Sequence, residues 1–377
     1  MRALEPWLRG RRRRLALIAA IGVALALTLL FGWNRAQDPF EREQGLEQAQ
    51  LSVVQISPQT LGRHPIIYGS IYVDKFYELN PSTRTFTADG SFWLEWPASV
   101  QKIIRDNNID IEGMVRLKNR IETWDSTLAL DTKTPTQLSA GRFQQRYTFS
   151  SRFYDDAINL KHDPFNTLTL PIVVELMPEA MTSKYADVLL IPQKRTGSNV
   201  GESGSISGYE LKGDRLQALQ QQYKNKFGSW QAPKRSQLRL EVLYSANSWS
   251  SFINWLLPLL IINAIVLMAP SVEGSMGDIR IAIPPTALLT LIFLQQSYHA
   301  ELPRLPYTTY LDDLFSCSYI IAMMLFGLFA WGANLYSKTP DSEKDRAMQT
   351  INRVDTAFQI ISVTGFLGAA TLGWLIK

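Results

Sequence analysis

Cysteine is almost missing from this chain. Of 377 residues only Cys317 carries a thiol, and it lies inside an apolar run. No disulfide can close within one copy, so no part of the fold is held by a covalent bridge. Histidine is scarce as well. His64, His162 and His299 are scattered, without the spacing that gathers a metal ion. The chain also lacks a glycine-rich phosphate loop, a serine-nucleophile elbow and a paired-cysteine motif, so nothing in it argues for an enzyme or calls for a cofactor. The formal charge of +4 has a local origin: six arginines stand against Glu5 in residues 1–14, which gives +5 there and leaves −1 for the rest. The basic balance therefore belongs to the N-terminus and gives no support for nucleic-acid binding.

What is present falls into two populations. Residues 39–248 have the mixed composition of a water-soluble domain, and residues 249–377 are mostly apolar blocks. The soluble part alternates. In "TFTADGSFWLEW" Phe86, Ala88, Gly90, Phe92, Leu94 and Trp96 share one side, and "SQLRLEVLY" does the same with Leu238, Leu240 and Val242. A period of two over this length predicts half-buried antiparallel strands. "HPIIYGSIYV", "RFQQRYTFSS", "TLPIVVEL" and "ADVLLIP" are further strand candidates, and together they predict an antiparallel β-sandwich. Arg195–Gly208 reads as a polar loop, and "RLQALQQQYKNKFG" as a short helical turn.

Four apolar blocks follow, at 250–269, 279–297, 314–336 and 357–376. Each approaches the roughly 20 residues that a helix needs to cross a bilayer. Another apolar run, Leu15–Trp33, follows "RGRRRR", which gives residues 1–38 the character of a signal peptide or a signal-anchor helix. The arginines hold its start in the cytoplasm, so the next segment is exported. Lys338, Lys344, Arg346 and Arg353 place the link before the last block in the cytoplasm too. Counting back through the spans puts residues 39–248 outside, which agrees. The expected location is a bacterial inner membrane, with the β domain periplasmic or extracellular.

The second block carries an unexpected set of side chains for a membrane helix: Thr286, Thr290, Gln295, Gln296 and Ser297. On a helix Ala282, Thr286, Leu289, Phe293 and Gln296 are spaced 4, 3, 4, 3 and share a face, which Asp278 extends. Polar groups are costly against lipid, so this face should look at protein or water. One reading is a polar helix contact within a monomeric bundle. The other is a pore wall, with Leu289 and Phe293 as apolar rings that gate by dewetting and Asp278 as an acidic ring that favours cations. Pro284 and Pro285 belong in a first turn, so regular helix is predicted to begin near Ile283, with Asp278–Ala282 irregular.

The arrangement resembles the pentameric ligand-gated ion channels, in particular prokaryotic members without the loop disulfide. "FINWLLPLLII" with Pro258 is similar to the family's first membrane helix, "TALLTLIFLQ" to its pore helix, and "LPRLPYTTYLD" to the linker that couples its two domains, with Pro303, Pro306 and Tyr307 in matching places. "LKHDPFNTLTLPIVVEL" is similar to the coupling loop at Pro164 and Phe165. There Asp163 replaces an aromatic residue, Asn166 an Asp and Leu168 a Gln, and the family's usual Arg before the first helix is not evident at Ala246 and Asn247. The resemblance implies a homopentamer in membrane lipid that conducts monovalent ions, cations by the Asp278 ring, and opens on a small ligand or protons. It also implies ligand sites between neighbouring sandwiches. Candidate ligand contacts are Tyr185, Tyr223, Phe227 and Trp230, whose rings would suit a cationic amine. A non-conducting sensor or scaffold with the same fold is the alternative. His299 and Glu301, at the outer end of the second block, are candidates for proton sensing.

Overall fold

The computed structural model describes residues 53–55, 64–121, 124–138, 141–155, 158–177, 188–193, 197–223 and 234–377. The apolar run Leu15–Trp33 and the ligand candidates Tyr185, Phe227 and Trp230 lie outside them. The chain divides into two compact units. One contains Leu160–Asn166 and Ser248–Lys377, and the other takes the described parts of Asp38–Asn159 and Thr167–Asn247.

The β unit runs β1 (Val53–Gln55), β2 (Ile66–Asn80), β3 (Thr85–Pro97), α1 (Ala98–Asp106), β4 (Val115–Leu117), β5 (Arg120–Ile121), β6 (Thr127–Leu130), β7 (Thr136–Gln137), β8 (Arg142–Tyr154), β9 (Thr167–Leu176), β10 (Leu189–Pro192), β11 (Tyr209–Gln222) and β12 (Lys234–Ala246). They form two sheets. One has the order β1-β11-β12-β9-β4; the other has β10-β2-β3-β8-β5, with β6 and β7 also on β8. All pairings are antiparallel except β10 with β2. The alternating aromatics supply the interior: Phe92 stacks on Tyr147 at 4.6 Å and Phe86 on Phe153 at 5.5 Å. The two sheets meet where Phe76 touches Tyr244 edge-on at 5.7 Å and where Ser236 Oγ accepts from the Leu190 N–H at 2.8 Å. A methyl added at Gly69 would come within 2.8 Å of Leu238 across this contact, so close approach requires the glycine.

One expectation is overturned here. "RLQALQQQ" is not a helical turn but the second half of β11, paired residue by residue with β12 from Leu216↔Leu240 to Gln222↔Lys234. Its glutamines suggested helix because they are good helix formers. They lie in a strand because polar partners wait across the ladder: Gln217 donates to Glu241 at 3.1 Å, and Gln221 accepts from Gln237 at 2.8 Å.

The second unit has four helices, each long and apolar enough to cross a membrane: α2 (Ser248–Ser271), α3 (Gly277–Glu301), α4 (Tyr310–Lys338) and α5 (Lys344–Ile376). By this measure the protein is a multi-pass membrane protein. Leu259, Leu291, Leu311, Leu314, Phe315, Leu325 and Phe366 make the common core. Buried polar contacts register the helices. Asn263 donates to Ser318 Oγ at 2.8 Å between α2 and α4, and Gln359 of α5 donates to the Leu267 carbonyl of α2 at 2.8 Å.

Two boundaries differ from the sequence reading. α3 is continuous from Gly277 through Pro284 and Pro285, so Asp278–Ala282 is regular helix. The first turn is anchored from outside its own backbone: Arg280 is 3% exposed and pairs with Asp355 of α5 at 2.5 Å, with its guanidinium 4.2 Å from the Phe329 ring. α5 begins at Lys344, well before the apolar block that announced it. Its buried face runs Ala347, Ile351, Asp355, Gln359, Ser362, Phe366 and Ala370. Asp355 and Gln359 are hidden partners of other helices, and the polar stretch from Lys344 to Thr356 reads by hydropathy as loop.

Candidate functional site

The predicted pore-lining residues form one surface. Asp278, Ala282, Thr286, Leu289, Phe293 and Gln296 are all exposed along α3, and Arg280, Pro284, Ala287, Leu291 and Tyr298 are buried on the opposite side. Leu289 is 55% and Phe293 64% exposed, so in a single copy both project away from the protein. Pro285, Thr290 and Ser297 widen the exposed arc. Thr286 donates its hydroxyl hydrogen to the Ala282 carbonyl and Thr290 to that of Thr286, each at 2.9 Å. Gln295 turns the other way, accepting from Tyr319 at 2.6 Å.

The exposed arcs of the other helices are different. α2 presents Leu257, Ile261, Ile265 and Met268; α4 presents Ile320, Met323, Met324 and Phe326; α5 presents Ile360, Ile361 and Leu372, with Thr364 and Thr371 folded onto their own backbone. These are lipid-facing compositions. The other helices expose polar groups too, among them Ser250 and Asn254 of α2, Ser316 and Asn334 of α4, and Asp345, Gln349, Thr350 and Thr356 of α5, but these lie before or near the ends of the apolar blocks, whereas the exposed Pro285, Thr286 and Thr290 lie in the middle of α3.

The predicted coupling residues come together at the end of the helices nearest Glu301. Leu160–Asn166 clusters with the helical unit. The Tyr310 N–H donates to the Lys161 carbonyl at 2.7 Å, and the Leu160 N–H to the Tyr307 hydroxyl at 3.0 Å. Pro164 is buried, and Phe165 packs on the helix core with its ring 6.4 Å from Trp374. Pro303 is half-buried and Pro306 exposed in the same linker as Tyr307.

Asp163 lies at the centre of this region. The Tyr298 hydroxyl donates to it at 2.8 Å and stands 2.9 Å from Thr309 Oγ1. Thr309 Oγ1 is 3.0 Å from Asp312 Oδ2, and Asp312 Oδ1 is 2.6 Å from His299 Nε2. A polar chain thus joins the loop, α3 and the start of α4, where Thr309 and Asp312 form a capping box. Burial pushes the Asp163 carboxyl up to about 6, helped by the charges of Asp312 and Glu301 and opposed by the Tyr298 hydrogen bond. The sequence reading treated Asp163 only as a departure from a motif and did not single out Tyr298. A tyrosine in a run of polar residues at a helix end gave no sign of a partner 135 positions away.

In the β unit Tyr223 has a different setting from the one expected. Its hydroxyl donates to Glu175 at 2.7 Å, and its ring already holds the Arg235 guanidinium at 5.2 Å and the Lys118 ammonium at 5.8 Å. Burial pushes the Tyr223 phenol up to about 12, with Glu175 adding to the shift. Glu175 is fully buried. Burial raises its carboxyl, but the Tyr223 hydrogen bond and the charge of Arg116 outweigh it and hold the group below the usual range. Along β3, Ser91, Trp93 and Glu95 open instead onto a depression of about 680 Å³ with Tyr72, Gln144, Arg146 and Gln193. Glu95 is only 9% exposed, and its described partner is the neutral Gln144 amide at 3.0 Å. Arg146 is occupied by Ser91 and by Asp131. Trp93 and Glu95 fall on the side of β3 opposite Phe92 and Leu94, and periodicity says nothing of which side chains there line a depression.

No protein-family model matches the sequence, and neither does any curated protein. The layout of a β-rich domain followed by four apolar helices agrees with the layout that the resemblance implies.

Proposed function

We propose that the chain is the subunit of a homopentameric, ligand-gated, cation-conducting channel. The β domain is a sandwich of its two sheets outside the membrane, and α3 lines the pore. The observation that supports this best is the exposed arc of α3, which offers Asp278, Thr286, Thr290 and Gln296, whereas within their apolar blocks the other three helices expose mostly Leu, Ile, Met and Phe. Five copies around an axis would place that arc against water and leave the other three to the bilayer. Leu289 and Phe293 then form the constriction. The loop Leu160–Asn166, bonded to Tyr298, Tyr307 and Tyr310 and continuous in chain with β9, would pass movement of the β domain to α3.

The ligand class that fits is a small organic ammonium ion. The Trp93–Glu95 depression has an aromatic wall and a nearly buried carboxylate whose described partner is neutral, a demand for positive charge. Tyr223, already covered by two cations, is a weaker candidate than its position in the sequence suggested.

Imaging of detergent-purified full-length protein tests the assembly, and planar-bilayer recording during an amine and pH screen tests the activity. Five-fold rings and ligand-evoked current are expected. Monomers with the α3 arc turned to detergent defeat the reading. A non-conducting sensor of the same fold is favoured by the two bulky rings at Leu289 and Phe293, and five-fold rings without current after both are changed to Ser would establish it.

A further inference from the structure

We infer that the proline pair of α3 builds a binding site for a partly dehydrated monovalent cation, at the level between Ile281 and Thr286. The inference rests on the reading that α3 lines a shared axis.

Pro284 and Pro285 lie inside the helix and have no N–H to give. The carbonyls of Arg280 and Ile281 therefore lose the donors that a regular helix supplies four residues on. The two rings are turned about 100° from each other around the helix: Pro284 is buried, and Pro285 is on the exposed arc. Beneath Pro285 the Ile281 carbonyl is thus released on the side of the arc.

The neighbouring side chains have the same polarity. Thr286 and Thr290 spend their hydroxyl hydrogens on the Ala282 and Thr286 carbonyls, so towards the arc each oxygen offers lone pairs only. Asp278 adds a carboxylate one turn below. From Asp278 to Phe293 the arc contains no side-chain donor that is not already used. The one arginine of α3, Arg280, is turned away and neutralised by Asp355. An anion would find no donor on this surface, whereas a cation finds a carbonyl and a hydroxyl oxygen from every copy. Neutral oxygens at this level suit a monovalent ion, and a divalent ion would require carboxylates among its direct ligands.

Crystals of the full chain grown in rubidium bromide test this, with anomalous data collected at the rubidium and bromine edges. A rubidium peak on the axis between Ile281 and Thr286 is expected. It should fall several-fold in Pro285→Ala, which restores the N–H under the carbonyl, and persist in Pro284→Ala, which acts on the buried side. Three results overturn the site while leaving the channel reading in place: α3 around an axis with no rubidium at that level, a bromide peak there instead, or a rubidium peak unchanged by Pro285→Ala. α3 away from any axis overturns both.

Discussion

Replacing Asp163 with Asn should remove a pH dependence centred near neutrality. The carboxyl titrates at about 6 in the folded protein against 3.8 ordinarily. The folded state therefore binds the proton more tightly than the unfolded chain, and the sign follows. Below about pH 4 both states are protonated and the contribution is complete; it fades as pH rises through 6. Between about pH 7 and about pH 5 it amounts to about 1.3 kcal/mol of added stability on acidification. The hydrogen bonds change direction as well. As a carboxylate, Asp163 accepts from Tyr298. As an acid it can donate to the tyrosine oxygen, which frees the tyrosine hydrogen for Thr309, 2.9 Å away. Lys161, His162, His299, Glu301, Asp312 and Tyr307 are the other ionisable groups around this loop, and His299 is joined to it through Asp312. The variant pair must therefore separate the two. Thermal unfolding in detergent should show the wild type gaining several degrees between pH 7 and pH 5. Asp163→Asn should lose that gain, and His299→Gln should keep it. In bilayers Asp163→Asn should respond to ligand at pH 7 as the wild type does at pH 5. A full acid response in Asp163→Asn would refute the assignment.

Three further outcomes are expected. Changing Arg280 to Met should destabilise the helical unit by about 3–5 kcal/mol, because Asp355 is left charged and buried; adding Asp355→Leu should recover most of the loss, and thermal unfolding of the single and double variants measures the coupling. Leu289→Ser with Phe293→Ser should lower the barrier to ions enough to give current without ligand, which bilayer recording would detect. Glu95→Gln should weaken binding of a tyramine probe by about tenfold or more, read by calorimetry at fixed salt, whereas Tyr223→Phe should change it little.

Much of the fold was legible because it is written in periodicity. The aromatics of β3 recur every second residue and are buried, and the four apolar blocks are long enough to announce spans without any knowledge of partners. The exposed face of α3 followed from its 4, 3, 4, 3 spacing. The failures share one cause. Gln217 and Gln221 were read as helix formers, Arg280, Asp355 and Gln359 drew no reading at all, and each is placed by a partner that its local sequence does not reveal. A local window cannot see that an arginine in a membrane helix is neutralised by an aspartate 75 residues away. The same blindness hid Asp163, whose contact with Tyr298 depends on how the loop folds onto the helices.

The positions of those distant partners also constrain how α3 can move. At one end Tyr298 is bonded to the loop and to the cap of α4, and at the other Arg280 is fixed to Asp355. Between them Ala287 and Leu291 are buried in ordinary apolar contact, which has no preferred direction and yields more easily to sliding than a buried ion pair does. The two missing backbone hydrogen bonds lie just above Arg280, where a helix bends at least cost. In the proposed channel a pull on Asp163 therefore does not turn α3 as a rigid rod, because that would expose an unpaired Arg280. It bends the helix at Pro284–Pro285 and carries Leu289 and Phe293 away from the axis while Asp278 stays in place. Cross-linking separates the two motions: a cysteine pair that joins α3 to α5 beside Arg280 should leave gating intact if the helix bends, and should abolish it if the whole helix turns.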